Sequence, residues 1–172
     1  MKKGKTKTAA KKPAGGSAWK KTLKERVPVY GHRNWIVVAD WAYPQQSNPG
    51  IETIYTGGKQ LDVLKTVLKE IEDAPHIQAI VMLDAELDSV TEADAPGVEA
   101  YRKGLKKLLE HKQVKVMQHE KIIHELDEGA KLFNVLLLKS DMTIPYTSVF
   151  LQLDCGYWNA EKEARLRKAF KG

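Results

Sequence analysis

The sequence predicts an α/β domain: a mainly parallel sheet with helices on both faces. Three observations predict it. Short apolar runs recur at Asn34–Ala39 (NWIVVA), Ile77–Leu83 (IQAIVML) and Phe133–Leu138 (FNVLLL); uninterrupted runs of this length read as strands buried on both sides. Stretches of helical period lie between them, which is the alternation that βαβ units require. The chain has 172 residues, 42% hydrophobic and 29% charged, ordinary for one globular domain and long enough to bury a core without a disulfide or metal staple. With Cys155 as the one cysteine, an intramolecular disulfide and a Cys-rich zinc module are excluded.

The elements follow in order. Residues 19–26 form a short amphipathic helix that ends before Pro28. The NWIVVA run is the first strand. Pro44–Gly50 carries two prolines, a glycine and Asn/Ser, and reads as loop. Lys59–Asp73 is the clearest helix, with Leu61, Leu64, Leu68 and Ile71 on one face. Ile77–Leu83 is the second strand. Pro96 starts a helix to about Lys112, with Val98, Tyr101, Leu105, Leu108 and Leu109 as its apolar stripe. Val114–Gln118 is strand, Glu120–Ala130 helix, Phe133–Leu138 strand and Ser148–Leu153 (SVFLQL) strand. Asn159–Phe170 is a terminal helix with Asn159 as its cap. No internal repeat is evident.

Charge divides the chain. Residues 1–26 hold ten Lys/Arg against Glu25 alone, a balance of +9; the rest holds 18 basic and 21 acidic residues, a balance of −3. Residues 1–18 are Lys-, Ala- and Gly-rich, with too little apolar bulk to offset their ordering entropy. They read as a disordered basic tail, either an anchor to an anionic partner or a solubilising extension, ahead of a single domain over 19–172. Nucleic-acid binding would rest on that tail alone. No apolar run reaches the roughly 20 residues of a membrane span, and no hydrophobic segment of a secretory signal follows the charged start. A cytoplasmic protein is expected.

In such sheets ligands sit at the carboxyl ends of strands. The rule points just beyond Ala39, Leu83 and Gln118 and to the segment around Tyr146. His32 precedes the first strand, Asp40 closes it, and His119 follows another. Two histidines and a carboxylate suit either a metal or general acid–base chemistry near neutral pH. His76 and His111 sit near helix ends and are expected to be exposed; His124 lies within a helix. Asp84, Glu86, Asp88, Glu92 and Asp94 follow a strand and read as a solvated loop or a cation site. Tyr55-Thr56-Gly57-Gly58-Lys59 lacks the spacing of a phosphate loop and reads as a tight turn feeding a helix. Cys155 has no pattern that marks a nucleophile and is expected to pack beside the last strand.

The segment Gly31-His32-Arg33-Asn34-Trp35-Ile36-Val37-Val38-Ala39-Asp40-Trp41-Ala42-Tyr43-Pro44 resembles the signature of the ribose pyranase and fucose mutarotase family, G-H-x-(D/N)-x-(apolar)4-D-A-x-x-P, with Trp41 in place of the alanine. Glu99–Leu105 resembles the Y-R-x-x-L helix of the fucose branch. Val116-Met117-Gln118-His119-Glu120 is similar to the junction carrying a sugar-contacting His in the ribose branch. Tyr146–Leu151 resembles the family's Y-x-N-(apolar)3 segment, and Gly156 matches a following glycine. The likeness runs from about Val27 to Trp158.

The resemblance implies a three-layer RbsD-like fold, a ring-shaped homo-oligomer, often a decamer in the family, sugar sites near subunit interfaces, and no cofactor or metal. It makes His32 the catalytic residue. Asp40, His119, Tyr146 and Ser148 become the substrate-binding residues. Ser148 stands where the family has Asn and lacks that carboxamide; a three-residue shift of the alignment would put Ile122 in the slot of His119. The implied activity is interconversion of monosaccharide anomers or ring forms through ring opening, with His32 donating to the ring oxygen, Asp40 orienting His32 or gripping a hydroxyl, and Tyr146 joining the relay. Trp41 or Tyr43 either stacks on the sugar or covers the sheet edge. The rival readings are a sugar-binding protein of the same fold whose tail meets an anionic partner, and a metal-dependent hydrolase using His32, Asp40 and His119.

Overall fold

The apolar runs become one six-stranded sheet. The computed structural model describes residues 16–170, so the expected tail falls outside the described residues except for its last three positions. The elements are α1 (Ala18–Arg26), β1 (Trp35–Ala39), β2 (Ile51–Tyr55), α2 (Gln60–Glu72), β3 (Ile77–Asp84), α3 (Val98–Leu108), β4 (Val114–Met117), α4 (His119–Ala130), β5 (Val135–Lys139), β6 (Val149–Cys155) and α5 (Ala160–Ala169), with a 3₁₀ turn over Ala85–Ser89. The strand order is β2-β5-β1-β6-β3-β4. Pairs β2–β5, β5–β1 and β3–β4 are parallel, while β6 runs antiparallel to both β1 and β3. The sheet is therefore mainly parallel, with one reversed strand at its centre.

Both faces are covered. Side chains of a strand point to alternate faces. In β1, Ile36 and Val38 join Leu136, Leu138 and Leu151 under α1, α2 and α3, through Leu23, Leu64 and Tyr101. Trp35 and Val37 join Leu137 and Phe150 under α4, through Ile122 and Leu126. The result is three layers, helices–sheet–helix. Each fully buried aliphatic side chain contributes about 1.5–3 kcal/mol. Helix α5 buries none of its residues, and Asn159 caps it by accepting from the Lys162 N–H at 2.9 Å.

Two expectations change. Strand β2 (IETIY) has no forerunner in the sequence reading. It is a five-residue edge strand with Ile51 as its one buried residue, so neither a long apolar run nor a buried face announces it. His76 is half-buried rather than exposed. Its Nε2 lies 3.2 Å from the Val27 carbonyl and 3.0 Å from that of Tyr30. Carbonyls only accept, so this nitrogen carries the proton and ties down the end of α1. Among the described residues no helix is long and apolar enough to cross a membrane.

Gly156 closes β6 against the start of β3. A Cβ there would lie 2.8 Å from Ile77 N, Ile77 O and Pro75 O. Backbone cannot yield as a side chain does, so Gly156→Ala is expected to lower the unfolding free energy by about 1–3 kcal/mol. Gly31→Ala meets nothing within 4 Å and should stay within about 0.5 kcal/mol of the parent. Urea denaturation of the two variants checks the contrast.

Candidate functional site

Strand register assembles the site. Val149, the first residue of β6, pairs with Val38 on one side and with Leu83 on the other. Asp40 and Asp84, just beyond those partners, therefore flank the segment 146–148 that leads into β6. Asp84 in turn pairs with Met117 of β4, which puts His119 two residues past the same edge. A cavity of about 680 Å³ opens there, lined by Asp40, Tyr43, Asp84, His119, Ile123 and Tyr146 among others. Its position obeys the carboxyl-end rule for α/β sheets, and its size suits a small ligand.

Asp40 is locked in place. Its Oδ1 accepts the Ala42 N–H at 2.9 Å, and its Oδ2 accepts the Ser148 hydroxyl at 3.0 Å. Ser148 Oγ also accepts the Asp40 N–H at 3.2 Å. Ser148 is buried and does not line the cavity. The family resemblance implies a sugar hydroxyl for it; in the structure its hydroxyl bonds Asp40.

His119 is fixed at the start of α4. Both oxygens of Glu86 accept its backbone N–H, at 3.0 and 3.1 Å, and a carboxylate there is favoured by the positive end of the helix dipole. Its Nδ1 lies 3.0 Å from Asp84 Oδ2. Its ring meets Tyr146 edge-on at 5.7 Å and Phe150 at 6.5 Å. Asp84 is 2% exposed. Burial raises its pKa to about 6, against the pull of His119 in the opposite direction. Ile122, the alternative occupant of the histidine slot, is buried in the core, so the unshifted alignment puts a polar side chain in the cavity.

Tyr146 holds a left-handed backbone, φ 59°, which is uncommon for a non-glycine residue and marks a conformation imposed by its surroundings. The buried Gln60 holds the residue that follows it. Its Nε2 donates to Val38 O at 2.9 Å and Thr147 O at 2.8 Å, and its Oε1 accepts the Ser140 hydroxyl. Tyr101 OH donates to the same Thr147 carbonyl at 2.6 Å. Trp41 and Tyr43 both line the cavity. Trp41 also stacks on Tyr55, ring centres 6.0 Å apart, and burial raises the pKa of the Tyr43 hydroxyl.

His32 stands elsewhere. Arg33 N–H donates to Leu153 O, and His32 Nδ1 lies 2.8 Å from Asp154 Oδ1, both at the far end of β6. Seven residues, five of them strand β1, lie between His32 and Asp40, so the two stand at opposite ends of that strand. Within one chain, then, Asp154 and not Asp40 orients His32, and His32, Asp40 and His119 cannot ligate one metal ion. Among the described residues, no three His, Cys, Asp or Glu are grouped to hold one.

The acidic segment is exposed at Asp88, Glu92 and Asp94, as a solvated loop would be, but several of its acids have partners in the fold. Asp84 faces His119, Glu86 caps α4, and Glu92 accepts from Gly97 N at 2.5 Å and Glu99 N at 3.0 Å to start α3. Those backbone bonds, Gly97's first, hold the Glu92 pKa below the usual range. Asp84, Glu86 and Gln60 are the parts that sequence reasoning missed. The strand-end rule did point just past Leu83, but five acids within eleven residues obscured the buried one.

No family model and no curated protein sequence matches the chain. Solved structures do. Bacillus subtilis RbsD complexed with D-ribose superposes with a TM-score of 0.54 at 19% identity, covering 85% of this chain and 98% of that one. The fucose mutarotase of Streptococcus pneumoniae in complex with L-fucose gives 0.53 at 19% identity, covering 81% and 93%. FucU from Bifidobacterium longum gives 0.52 at 17% identity, covering 77% and 92%. The chain therefore has the RbsD/FucU fold, as its sequence motifs implied.

The raised pKa of Asp84 sets a sign. A carboxyl that ionises at 3.8 when unfolded and about 6 when folded adds stability below the lower value, and that stability is lost as pH rises through the upper one. Asp84→Asn should thus be more stable than the parent at pH 8, by about 3 kcal/mol. The gap should close as pH falls toward 4. Denaturation curves of both proteins across that range measure it.

Proposed function

We propose that this chain is a monosaccharide mutarotase or pyranase that works as a homo-oligomer. In it the partner subunit's His32 completes the cavity of Asp40, His119 and Tyr146. The observation that carries this reading is the cavity itself: a locked carboxylate, a held imidazole and a tyrosine converge at the strand ends of a fold whose solved relatives hold ribose and fucose. Interconverting anomers requires a proton to leave the anomeric hydroxyl while another reaches the ring oxygen. Groups titrating near neutral pH supply about 10²–10⁴-fold for such transfers. Asp40, acceptor-only and fixed on both oxygens, suits the grip of a sugar hydroxyl.

The exposed edge of His32 supports its action on another copy. Its side chain is 64% exposed and held by Asp154, while the loop behind it is shaped by the bond from Gly31 N to Asn34 Oδ1 and by Arg33 packed over Phe133. A second reading, sugar binding without turnover, draws on Ser148, whose hydroxyl is committed to Asp40 and leaves the sugar no carboxamide.

NMR magnetisation exchange between anomers of ribose, fucose and related sugars tests the activity. Acceleration by the parent and a loss of about 10²–10⁴-fold in His32→Ala is expected. Saturable binding with no acceleration of any sugar selects the second reading. Chains carrying His32→Ala and chains carrying Asp40→Asn, inactive apart, should regain part of the exchange when co-assembled, because some interfaces then combine an intact His32 with an intact cavity. Co-assembly without any recovery contradicts action between subunits.

A further inference from the structure

We infer that Asp84 is a positioning residue that makes His119 the base for the anomeric hydroxyl, so that the cavity carries an acid–base group of its own besides His32. The inference rests on the mutarotase reading. It begins with an anomaly. Asp84 is buried, yet its Oδ1 has no hydrogen-bond partner among the described residues. A buried, half-satisfied carboxylate is destabilising. Its place at the head of α4 does not explain it, since Glu86 already accepts the first backbone N–H of that helix with both oxygens. What Asp84 does hold is the imidazole.

Its effect on that ring is specific. An ionised carboxylate only accepts, so the 3.0 Å contact requires the proton of His119 on Nδ1. Nε2 is then the unprotonated nitrogen, with no protein partner among the described residues, on a ring that lines the cavity. Glu86 fixes the backbone, and Tyr146 and Phe150 flank the ring. Asp40 keeps its role as the hydroxyl grip: each oxygen accepts one hydrogen bond from the chain and retains a lone pair for the sugar. In the step this implies, His119 Nε2 takes the proton of the anomeric hydroxyl. The bond from the anomeric carbon to the ring oxygen breaks as the carbonyl forms, and the ring oxygen takes a proton from the partner subunit's His32. Closure on the other face of the carbonyl runs both transfers in reverse. Asp84 stabilises the imidazolium that forms in between.

The test pairs kinetics with spectroscopy. Exchange rates are measured for the parent, Asp84→Asn, His119→Gln and the double variant, and ring ¹⁵N shifts of His119 are recorded for the parent and Asp84→Ala. The expected results are these. Asp84→Asn lowers kcat about 10–100-fold with KM within about threefold. The double variant is no slower than His119→Gln, the non-additivity of residues acting as a unit. The parent shows the Nδ1–H tautomer, which Asp84→Ala loses. An active parent whose kcat is untouched by Asp84→Asn, additive losses in the double variant, or an Nε2–H tautomer in the parent each overturns the inference while leaving the mutarotase reading standing. A parent that accelerates no sugar overturns the mutarotase reading, and the inference with it, before any variant is compared.

Discussion

Strand β6 runs against its neighbours, and the rest of the site depends on that reversal. Were it parallel to β1 and β3, its entry segment would sit at the amino ends of the sheet. Because it is antiparallel, the chain enters β6 at the carboxyl ends of both, and residues 146–148 arrive between Asp40 and Asp84. The same reversal sends the end of β6 to the opposite edge, where Asp154 meets His32. One topological fact thus places a polar cavity at one end of the sheet and an exposed His–Asp pair at the other. It also keeps the two ends of a single chain apart.

The reversal has to be held, and buried polar groups do the holding. The entry to β6 brings backbone carbonyls into an apolar setting, where leaving them unpaired would cost about 1–3 kcal/mol each. Gln60 and Tyr101 satisfy the carbonyls of Val38 and Thr147 from the helices on one face. Ser140 completes the group. These side chains brace the segment that carries Tyr146 and Ser148. On the other face α4 fixes His119 by its first backbone N–H. The cavity is therefore held from two layers, and among its described lining residues Asp84 Oδ1 and Gln46 Oε1 are buried without a hydrogen-bond partner.

Much of this was legible in the sequence. The apolar runs announced β1, β3 and β5 because strands buried on both faces need no alternation, and the leucine spacing announced α2. The carboxyl-end rule pointed to the positions of Asp40, His119 and Tyr146, and the structure brings these together. The rest was hidden for physical reasons. Edge strand β2 buries one residue of five, so its pattern is weak. Gln60 looks like any polar residue at a helix start until the carbonyls it serves are in place. Asp84 was lost among solvent-facing acids, since composition cannot tell a buried carboxylate from its exposed neighbours. The separation of His32 from Asp40 follows from strand rise alone, but motif spacing along a chain does not say whether two residues meet within one copy or between two.

Amide chemical-shift mapping tests the central claim most directly: that the sugar lies at the carboxyl ends of β1, β3 and β4, bounded by the entry to β6. On titration with ribose or fucose, the largest ¹H–¹⁵N shifts should fall at residues 40–43, 84–86, 119 and 142–148, and the proposed action between copies adds a second group at 31–33. Shifts concentrated instead along α3 and the exposed edge of β4, or at the helix start after Gly57, would contradict it.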